Sequence, residues 1–148
     1  KYEAILIGQF KGNQRIETKI DSSTKEFLHK VQEGSEGKAA ISEFKLIKSL
    51  GHYSHVEILI FTGRMHQLRK HMAHILHPIV ADRPYGCNKQ NRMFKEKFTM
   101  MTMLLHALKL SFEWEGATIE IYANPQAEFK RMLNFLKLHV NSVNFGEI

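Results

Sequence analysis

Residues 2–10 constrain the fold more than any other segment of the chain. Their sequence, YEAILIGQF, has the two-residue alternation of a β-strand. The side chains divide between two faces, with Tyr2, Ala4 and Leu6 on one and Ile5 and Ile7 on the other. Because both faces are apolar, other parts of the molecule have to cover both. We therefore predict that this strand lies in the interior of a sheet.

Several other segments have strand patterns separated by short turns. After a turn at residues 11–14 we predict a short return strand at 15–20, and then strands at 40–49, 54–61, 104–112 and 117–122. Ser, Lys, Glu and Gly dominate residues 21–38, which predicts an exposed loop. Residues 88–103 are basic and lack a clear period, which predicts a loop with about one helical turn.

Two helices are predicted from apolar periodicity. The first covers residues 66–77, and Gly63 is expected to permit the sharp turn that leads into it. The second is capped by Asn124, has Pro125 at its first position, and has an apolar stripe formed by Phe129, Met132, Leu133 and Leu136. The predicted fold class is α+β, a mixed, mostly antiparallel sheet with two main helices, in one domain over residues 1–148.

The first helix has a core-facing stripe and a polar face. A helical wheel places Leu68, Met72, Ile75 and Leu76 towards the core, and His66, Lys70, Ala73 and His77 towards solvent. Arg69 falls on the border between them. A partly desolvated guanidinium requires an acidic partner, because an unpaired buried cation costs several kcal/mol. The chain's two aspartates, Asp21 and Asp82, are not obviously placed to meet it, while glutamates remain possible partners.

Basic and polar residues around this helix suggest a polyanionic partner. The net charge is +6, which raises nucleic-acid binding to about even odds against simple solubility. Arg64, at the helix start, joins three neighbours in an edge suited to phosphate: His66, Gln67 and Lys70. The alternative is a helix whose charges only solvate it.

The histidines and the cysteine raise the possibilities of a zinc site and a reactive thiol. Four histidines lie on or near the first helix, at positions 66, 71, 74 and 77, but their neighbours include Arg and Lys, which repel a dication. We therefore expect no metal. Cys87 is the single cysteine, which excludes an internal disulfide and favours a reducing, cytoplasmic location, and nothing around it indicates an activated thiol. No apolar run is long enough to span a bilayer.

Three motifs together resemble the RluA-type pseudouridine synthases. Residues 62–71 read TGRMHQLRKH, residues 77–82 read HPIVAD, and residues 85–86 read YG. The family pattern is TGR-x-HQ-(I/L)-R-x-H, then GHPI-x-GD and YG, in the same order. This chain has Leu76 and Ala81 where that pattern has glycine. The strand opening KYEA at residues 1–4 and LHA at 105–107 are also similar to the family, and NKQNR at 88–92 resembles its tRNA pseudouridine synthase C (TruC) branch.

The resemblance implies an enzyme that isomerises uridine to pseudouridine in tRNA or ribosomal RNA, with tRNA favoured, without a cofactor or metal. It implies that Tyr2 stacks on a flipped-out uridine and that Arg69 pairs with a catalytic aspartate. RNA contacts are expected from Arg64, His66, Gln67 and Lys70, and from Lys89 and Arg92 in the basic segment. The family's aspartate motif, HRLD-x-x-TSG, has no match in residues 1–148. We therefore expect this chain to be the C-terminal portion of a catalytic domain, inactive alone, with the aspartate before Lys1.

Two alternatives remain open from the sequence. One is an RNA-binding module without catalysis. The other is a metal-binding or purely structural domain.

Overall fold

The computed structural model describes residues 1–20 and 37–140. The strands are β1 (Tyr2–Ile7), β2 (Asn13–Ile20), β3 (Lys38–Leu50), β4 (Tyr53–Ile60), β5 (Leu105–Ala107), β6 (Lys109–Trp114) and β7 (Ala117–Tyr122). The helices are α1 (Gln67–His74), α2 (Asn88–Phe98) and α3 (Ala127–Leu138). The predicted α+β class is confirmed. Residues 21–36, which make up most of the predicted loop 21–38, lie outside the described residues.

Five strands form one antiparallel sheet in the order β2-β3-β4-β1-β5. β1 pairs with β4 on one side, with Ile5 opposite His55, and with β5 on the other, with Ala4 opposite Leu105. The prediction that the first strand lies in the sheet interior is therefore confirmed. β6 and β7 form a separate two-stranded antiparallel sheet.

Each face of the five-stranded sheet has its own apolar core. Ala4 and Leu6 belong to a cluster that includes Leu68 and Met72 of α1. Ile5, on the opposite face of β1, belongs to a second cluster with residues of α2 and α3, including Phe94, Phe129, Met132 and Leu136. The sheet is thus covered by α1 on one face and by α2 and α3 on the other, as the apolar character of both faces of β1 requires.

Two strand predictions were wrong in their pairing or extent. The strand after the turn at residues 11–14 does not return along β1, because β2 pairs with β3 at the sheet edge, with Ile16 opposite Ser42. The strand predicted at 104–112 is divided into β5 and β6. The backbone N–H groups of Leu108 and Lys109 both donate to the carbonyl oxygen of Lys1, and the chain leaves the five-stranded sheet at this point.

The number of helices was also underestimated, with three helices among the described residues. The segment predicted as a basic loop contains the three-turn helix α2, because Met93 and Phe94 are buried and Phe98 packs on Phe94 one turn away. α3 begins at Ala127 with Gln126 at the N-cap position, two residues later than the predicted cap at Asn124. No helix in the described part of the chain is long and apolar enough to cross a membrane.

Candidate active site

The buried side-chain amide of Gln67 connects the start of α1 to β3 by hydrogen bonds. The side-chain oxygen of Gln67 accepts hydrogen bonds from the Thr62 hydroxyl at 2.7 Å and the Arg64 backbone N–H at 3.1 Å. Its side-chain nitrogen donates to the carbonyl oxygen of Ile41 at 2.9 Å and to the Ser42 hydroxyl at 2.8 Å. Gln67 is 4% exposed. The predicted RNA contact by Gln67 therefore does not fit this geometry, in which the amide positions α1.

The turn into α1 is made by His66 and not by Gly63. His66 occupies the N-cap position with φ 55°, in the left-handed region, whereas Gly63 has no positive φ. A side-chain-bearing residue in this region is strained, and such strain is concentrated at functional sites. The expectation that glycine freedom at position 63 permits the turn was wrong. His66 itself is exposed, as expected.

Arg69 has an acidic partner within this chain. Its Nε donates to Oδ2 of Asp82 at 2.8 Å and its Nη2 donates to Oδ1 at 2.7 Å, which is the bidentate geometry that guanidinium favours. The Arg69 side chain is 16% exposed and that of Asp82 is 1% exposed. The helical wheel correctly required an acid beside Arg69, and that acid is Asp82, which the sequence did not obviously place there. The hydrogen bonds to Asp82 raise the pKa of Arg69, and the guanidinium stays charged.

Asp82 is held in place by its surroundings. Its Oδ1 accepts the backbone N–H of Tyr85 at 3.2 Å, and its carbonyl oxygen accepts the Nδ2 of Asn91 from α2 at 2.7 Å and the N–H of Gly86 at 2.9 Å. A Cβ atom at Gly86 would lie 2.1 Å from that carbonyl oxygen, which explains the need for glycine there. The turn after residue 82 and the start of α2 thus fix the carboxylate that pairs with Arg69.

Tyr85 connects Arg69 with His66. The guanidinium carbon of Arg69 lies 4.8 Å from the Tyr85 ring centroid, a cation–π contact. The Tyr85 hydroxyl lies 3.0 Å from Nδ1 of His66, and the two rings meet edge to face. Partial burial, together with the charges of Arg69 and Lys70, lowers the pKa of His66. The neutral ring therefore dominates at pH 7, and an unprotonated Nδ1 can accept a hydrogen bond from the Tyr85 hydroxyl.

The C-terminal end of α1 differs from the predicted stripe. The helix ends at His74, so Leu76 is 78% exposed, while His71 and Ala73 are buried. Nε2 of His71 lies 2.9 Å from the Thr18 hydroxyl of β2, and burial lowers the pKa of His71 to about 4.

Leu76 and Ala81 adopt left-handed conformations, with φ 63° and 62°. The tight turns therefore persist at the two positions where the family pattern has glycine.

The other residues predicted for the site lie either on the sheet face near α1 or on α2. Tyr2 is half-buried beside the apolar cluster that contains Leu68 of α1, so it lies on the sheet face that α1 covers. Arg64 donates through Nε to the carbonyl oxygen of Ala39, and Lys70 is half-buried on α1. Lys89 and Arg92 are exposed on α2. The α2 residue Asn91 contacts Asp82, which places this basic helix next to the Arg69 pair.

Sequence reasoning missed three residues of this cluster: Asp82, Tyr85 and Asn91. The first two belong to the HPIVAD and YG motifs, which supplied a signal, whereas Asn91 lay in a segment predicted as a loop. Within residues 1–20 and 37–140, no group of three or more His, Cys, Asp or Glu side chains is arranged to hold a metal ion.

Residues 1–74, half of the chain, match the family model described as RNA pseudouridylate synthase. The chain belongs to this family. It is 50% identical over 60 residues to tRNA pseudouridine synthase C of Vibrio vulnificus (strain CMCP6), which covers 40% of this chain and 24% of that protein. It is 31% identical over 146 residues to ribosomal large subunit pseudouridine synthase D of Haemophilus influenzae (strain ATCC 51907 / DSM 11121 / KW20 / Rd), covering 93% of this chain and 44% of that protein. The chain therefore spans less than half the length of either relative.

Solved structures of the same family share the fold. Human RNA Pseudouridylate Synthase Domain Containing 4 superposes with a TM-score of 0.71 at 18% identity, over 92% of this chain and 61% of that chain. Human RNA Pseudouridylate Synthase Domain Containing 1 gives a TM-score of 0.65 at 23% identity, over 92% of this chain and 64% of that chain. The pseudouridine synthase fold predicted from the motifs is confirmed.

Proposed function

We propose that this chain is the C-terminal portion of the catalytic domain of an RNA pseudouridine synthase that isomerises uridine to pseudouridine, with tRNA as the expected substrate. Membership of the RNA pseudouridylate synthase family supports the reaction. The similarity to tRNA pseudouridine synthase C, over 60 residues for the Vibrio vulnificus protein and 123 residues for the Haemophilus influenzae protein, supports tRNA. Ribosomal large subunit pseudouridine synthase D, which aligns over 146 residues, acts by its name on the ribosomal large subunit. Such a substrate is consistent with a cytoplasmic protein.

The observation that carries the proposal is the fixed orientation of Arg69. An arginine side chain has five N–H donors, and Asp82 uses one on Nε and one on Nη2. The remaining donors of a guanidinium held on two sides, by Asp82 and by the Tyr85 ring, are available to a second carboxylate. In our proposal that carboxylate is the catalytic aspartate, supplied by polypeptide before Lys1. Asp82 then positions Arg69, and Arg69 positions the aspartate.

The remaining site residues receive roles around this pair. Tyr2 is proposed to stack on the flipped uridine, because it lies on the sheet face that α1 covers. Arg64, His66 and Lys70 on the α1 side and Lys89 and Arg92 on α2 are proposed to contact the RNA backbone. No cofactor or metal enters the proposed reaction.

The test compares residues 1–148 with the longer protein encoded by the gene, using unmodified tRNA and nucleoside mass spectrometry for pseudouridine. We expect turnover only in the longer protein. Arg69→Lys keeps the charge but loses the bidentate fork, and should lower the rate by about 100-fold. Lys130→Gln, which removes an exposed α3 charge, serves as the control. The proposal fails if no aspartate motif is encoded upstream, or if the Arg69→Lys enzyme keeps full activity.

The exposed charges of α2 favour one other candidate function, an RNA-binding module that does not catalyse. The same experiment separates the two candidates. A longer protein that binds tRNA without forming pseudouridine would support the binding module.

A further inference from the structure

The β6–β7 hairpin has one apolar face that is largely exposed. The register places Leu110 opposite Ile121, Phe112 opposite Ile119, and Trp114 opposite Ala117. Leu110 is 58% exposed, Phe112 40%, Trp114 62% and Ile121 53%. Contiguous apolar surface of this kind indicates an interaction site, whereas single exposed apolar residues do not.

The opposite face of the same hairpin is polar and internally paired. Lys109 forms an ion pair with Glu120, the Thr118 hydroxyl donates to Glu113 at 2.7 Å, and the Tyr122 hydroxyl donates to Glu120 at 2.8 Å. The polar face is therefore suited to contact with water, and the apolar face is suited to burial against other protein. An isolated two-stranded hairpin is at best marginally stable in water, so this division of faces fits a hairpin that a further layer of protein completes.

The backbone of Lys1 pairs with the outer edge of β6. The amino group of Lys1 donates to the carbonyl oxygen of Lys109 at 2.7 Å, and the Lys109 N–H donates to the carbonyl oxygen of Lys1 at 3.1 Å. Two residues that exchange both hydrogen bonds form one step of an antiparallel ladder. Lys1 thus occupies the edge of β6 that faces away from β7.

This edge of β6 continues beyond Lys109. Trp114 and Ala117 flank the two-residue turn Glu115–Gly116, so Trp114, Phe112 and Leu110 direct their backbone groups towards β7. By the same alternation, Ser111 and Glu113 direct their N–H and C=O groups to the edge that Lys1 occupies. Among residues 1–20 and 37–140, no strand pairs with this edge beyond Lys1, and an unpaired strand edge is a template for another strand.

We propose that the polypeptide preceding Lys1 in the longer protein pairs with this edge of β6 and covers the apolar face of the β6–β7 hairpin. The inference rests on the proposed function, which also requires polypeptide before Lys1. Polypeptide on this edge of β6 continues through Lys1 directly into β1, the strand that begins with Tyr2.

Trp114 is the single tryptophan of residues 1–148, and it lies in the proposed interface. The experiment measures its fluorescence emission and its quenching by acrylamide in residues 1–148 and in the longer protein. Tryptophans outside residues 1–148 are replaced by phenylalanine. We expect the emission of Trp114 to shift to shorter wavelength and its quenching constant to fall several-fold in the longer protein. Equal quenching in the two proteins would overturn the proposal.

Two matched variants locate the contact. Leu110→Lys places a charge on the apolar face, and Ser111→Lys places the same charge on the polar face of the same strand. In the longer protein Leu110→Lys should restore the quenching of Trp114, whereas Ser111→Lys should leave it protected. If both variants change the quenching equally, or neither does, the proposal is wrong. Amide hydrogen exchange at Glu113, which should slow only in the longer protein, provides a second measurement that requires no substitution.

If a different molecule covers the apolar face of the β6–β7 hairpin, the Trp114 fluorescence changes in a different way. Protection of Trp114 that rises with the concentration of residues 1–148 alone would show that a second copy covers the face, and would overturn the proposal. A gene that encodes no residues before Lys1 would also overturn it. Because the fluorescence does not depend on turnover, a protein with protected Trp114 and no pseudouridine would contradict the proposed function only, and an active protein with exposed Trp114 would contradict this inference only.

Discussion

At the scale of single residues, the burial of Asp82 determines what its pairing with Arg69 contributes. A carboxylate that is 1% exposed has lost nearly all of its hydrogen bonds to water. The Arg69 guanidinium and the Tyr85 backbone N–H that contact Asp82 replace those hydrogen bonds. The pair therefore has a structural role in addition to its proposed catalytic one. An alanine at position 69 would test both roles at once, which is why the activity test uses lysine.

We predict that Arg69→Ala lowers the free energy of unfolding by about 3 kcal/mol, because it leaves the buried Asp82 carboxylate unpaired. Arg69→Met combined with Asp82→Leu should restore most of that loss, since no buried charge remains. Urea unfolding of the single and double variants measures both effects. A single variant as stable as the parent would show that Asp82 is solvated or neutral in the folded protein.

His71 makes the stability of the fold depend on pH. Its pKa is about 4 in the folded protein and about 6.5 when unfolded. The unfolded chain therefore gains a proton first, and stability that is fully present above about pH 6.5 is lost as the pH falls towards 4, at up to about 1.4 kcal/mol per pH unit. Burial also lowers the pKa of His55, which acts in the same direction despite its hydrogen bond to Glu3.

His71→Gln should accordingly reduce the dependence of the urea midpoint on pH between 7 and 4. His74→Gln is the matched control, because His74 is exposed on the same helix. If the two variants and the parent show the same slope, His71 is protonated in the folded state and the buried, neutral ring is contradicted.

At the scale of elements, the segment between α1 and α2 is shaped by two strained turns. Leu76 and Ala81 have positive φ at either end of a short extended piece, in which Ile79 bridges to Leu6 of β1. That bridge brings the chain back along the sheet and places Asp82 beside Arg69. The helical wheel could not find this acid, because the wheel describes one helix and not the reversal that follows it.

Leu76→Gly should leave the free energy of unfolding unchanged or raise it by up to about 1.5 kcal/mol. Relief of left-handed strain contributes about 1–2 kcal/mol, and the greater flexibility of unfolded glycine costs about 0.5–1 kcal/mol. Few contacts are lost, since Leu76 is 78% exposed. Ile75→Gly is the control and should destabilise, because Ile75 has φ −87° and is half-buried. Thermal unfolding that shows equal losses for both variants would contradict the strain argument.

The strands were more predictable than the helices and connections. The alternation in β1 and β4 could be read from the sequence, because each of these strands has apolar residues at two-residue spacing. α2 could not, since only Met93, Phe94 and Phe98 pack inwards among many basic residues. The burial of Gln67 could not be read from the sequence either, because two of its four hydrogen bonds join Ile41 and Ser42 of β3, which are distant in sequence.

At the scale of the whole molecule, the net charge of +6 and the exposed cations of α2 are the basis of the expected RNA affinity. We predict that replacing Lys89 and Arg92 together by Gln weakens tRNA binding and lowers the slope of log affinity against log salt by about 1–2. Filter binding at several salt concentrations measures that slope. The control replaces Lys130 and Lys137 of α3, which removes the same charge. An equal effect of the control would show non-specific attraction and no defined RNA contact by α2.

The position of β1 in the sheet has a consequence for how the molecule is made. β1 leaves the ribosome before β2 to β7, yet its partners are β4, with His55 opposite Ile5, and β5, with Leu105 opposite Ala4. β3 and β4 can form a hairpin from neighbouring residues, but β1 must wait for both flanking strands. We expect β1 to be the part of the nascent chain that most needs a chaperone, because it is the last interior strand of the five-stranded sheet to be paired on both sides.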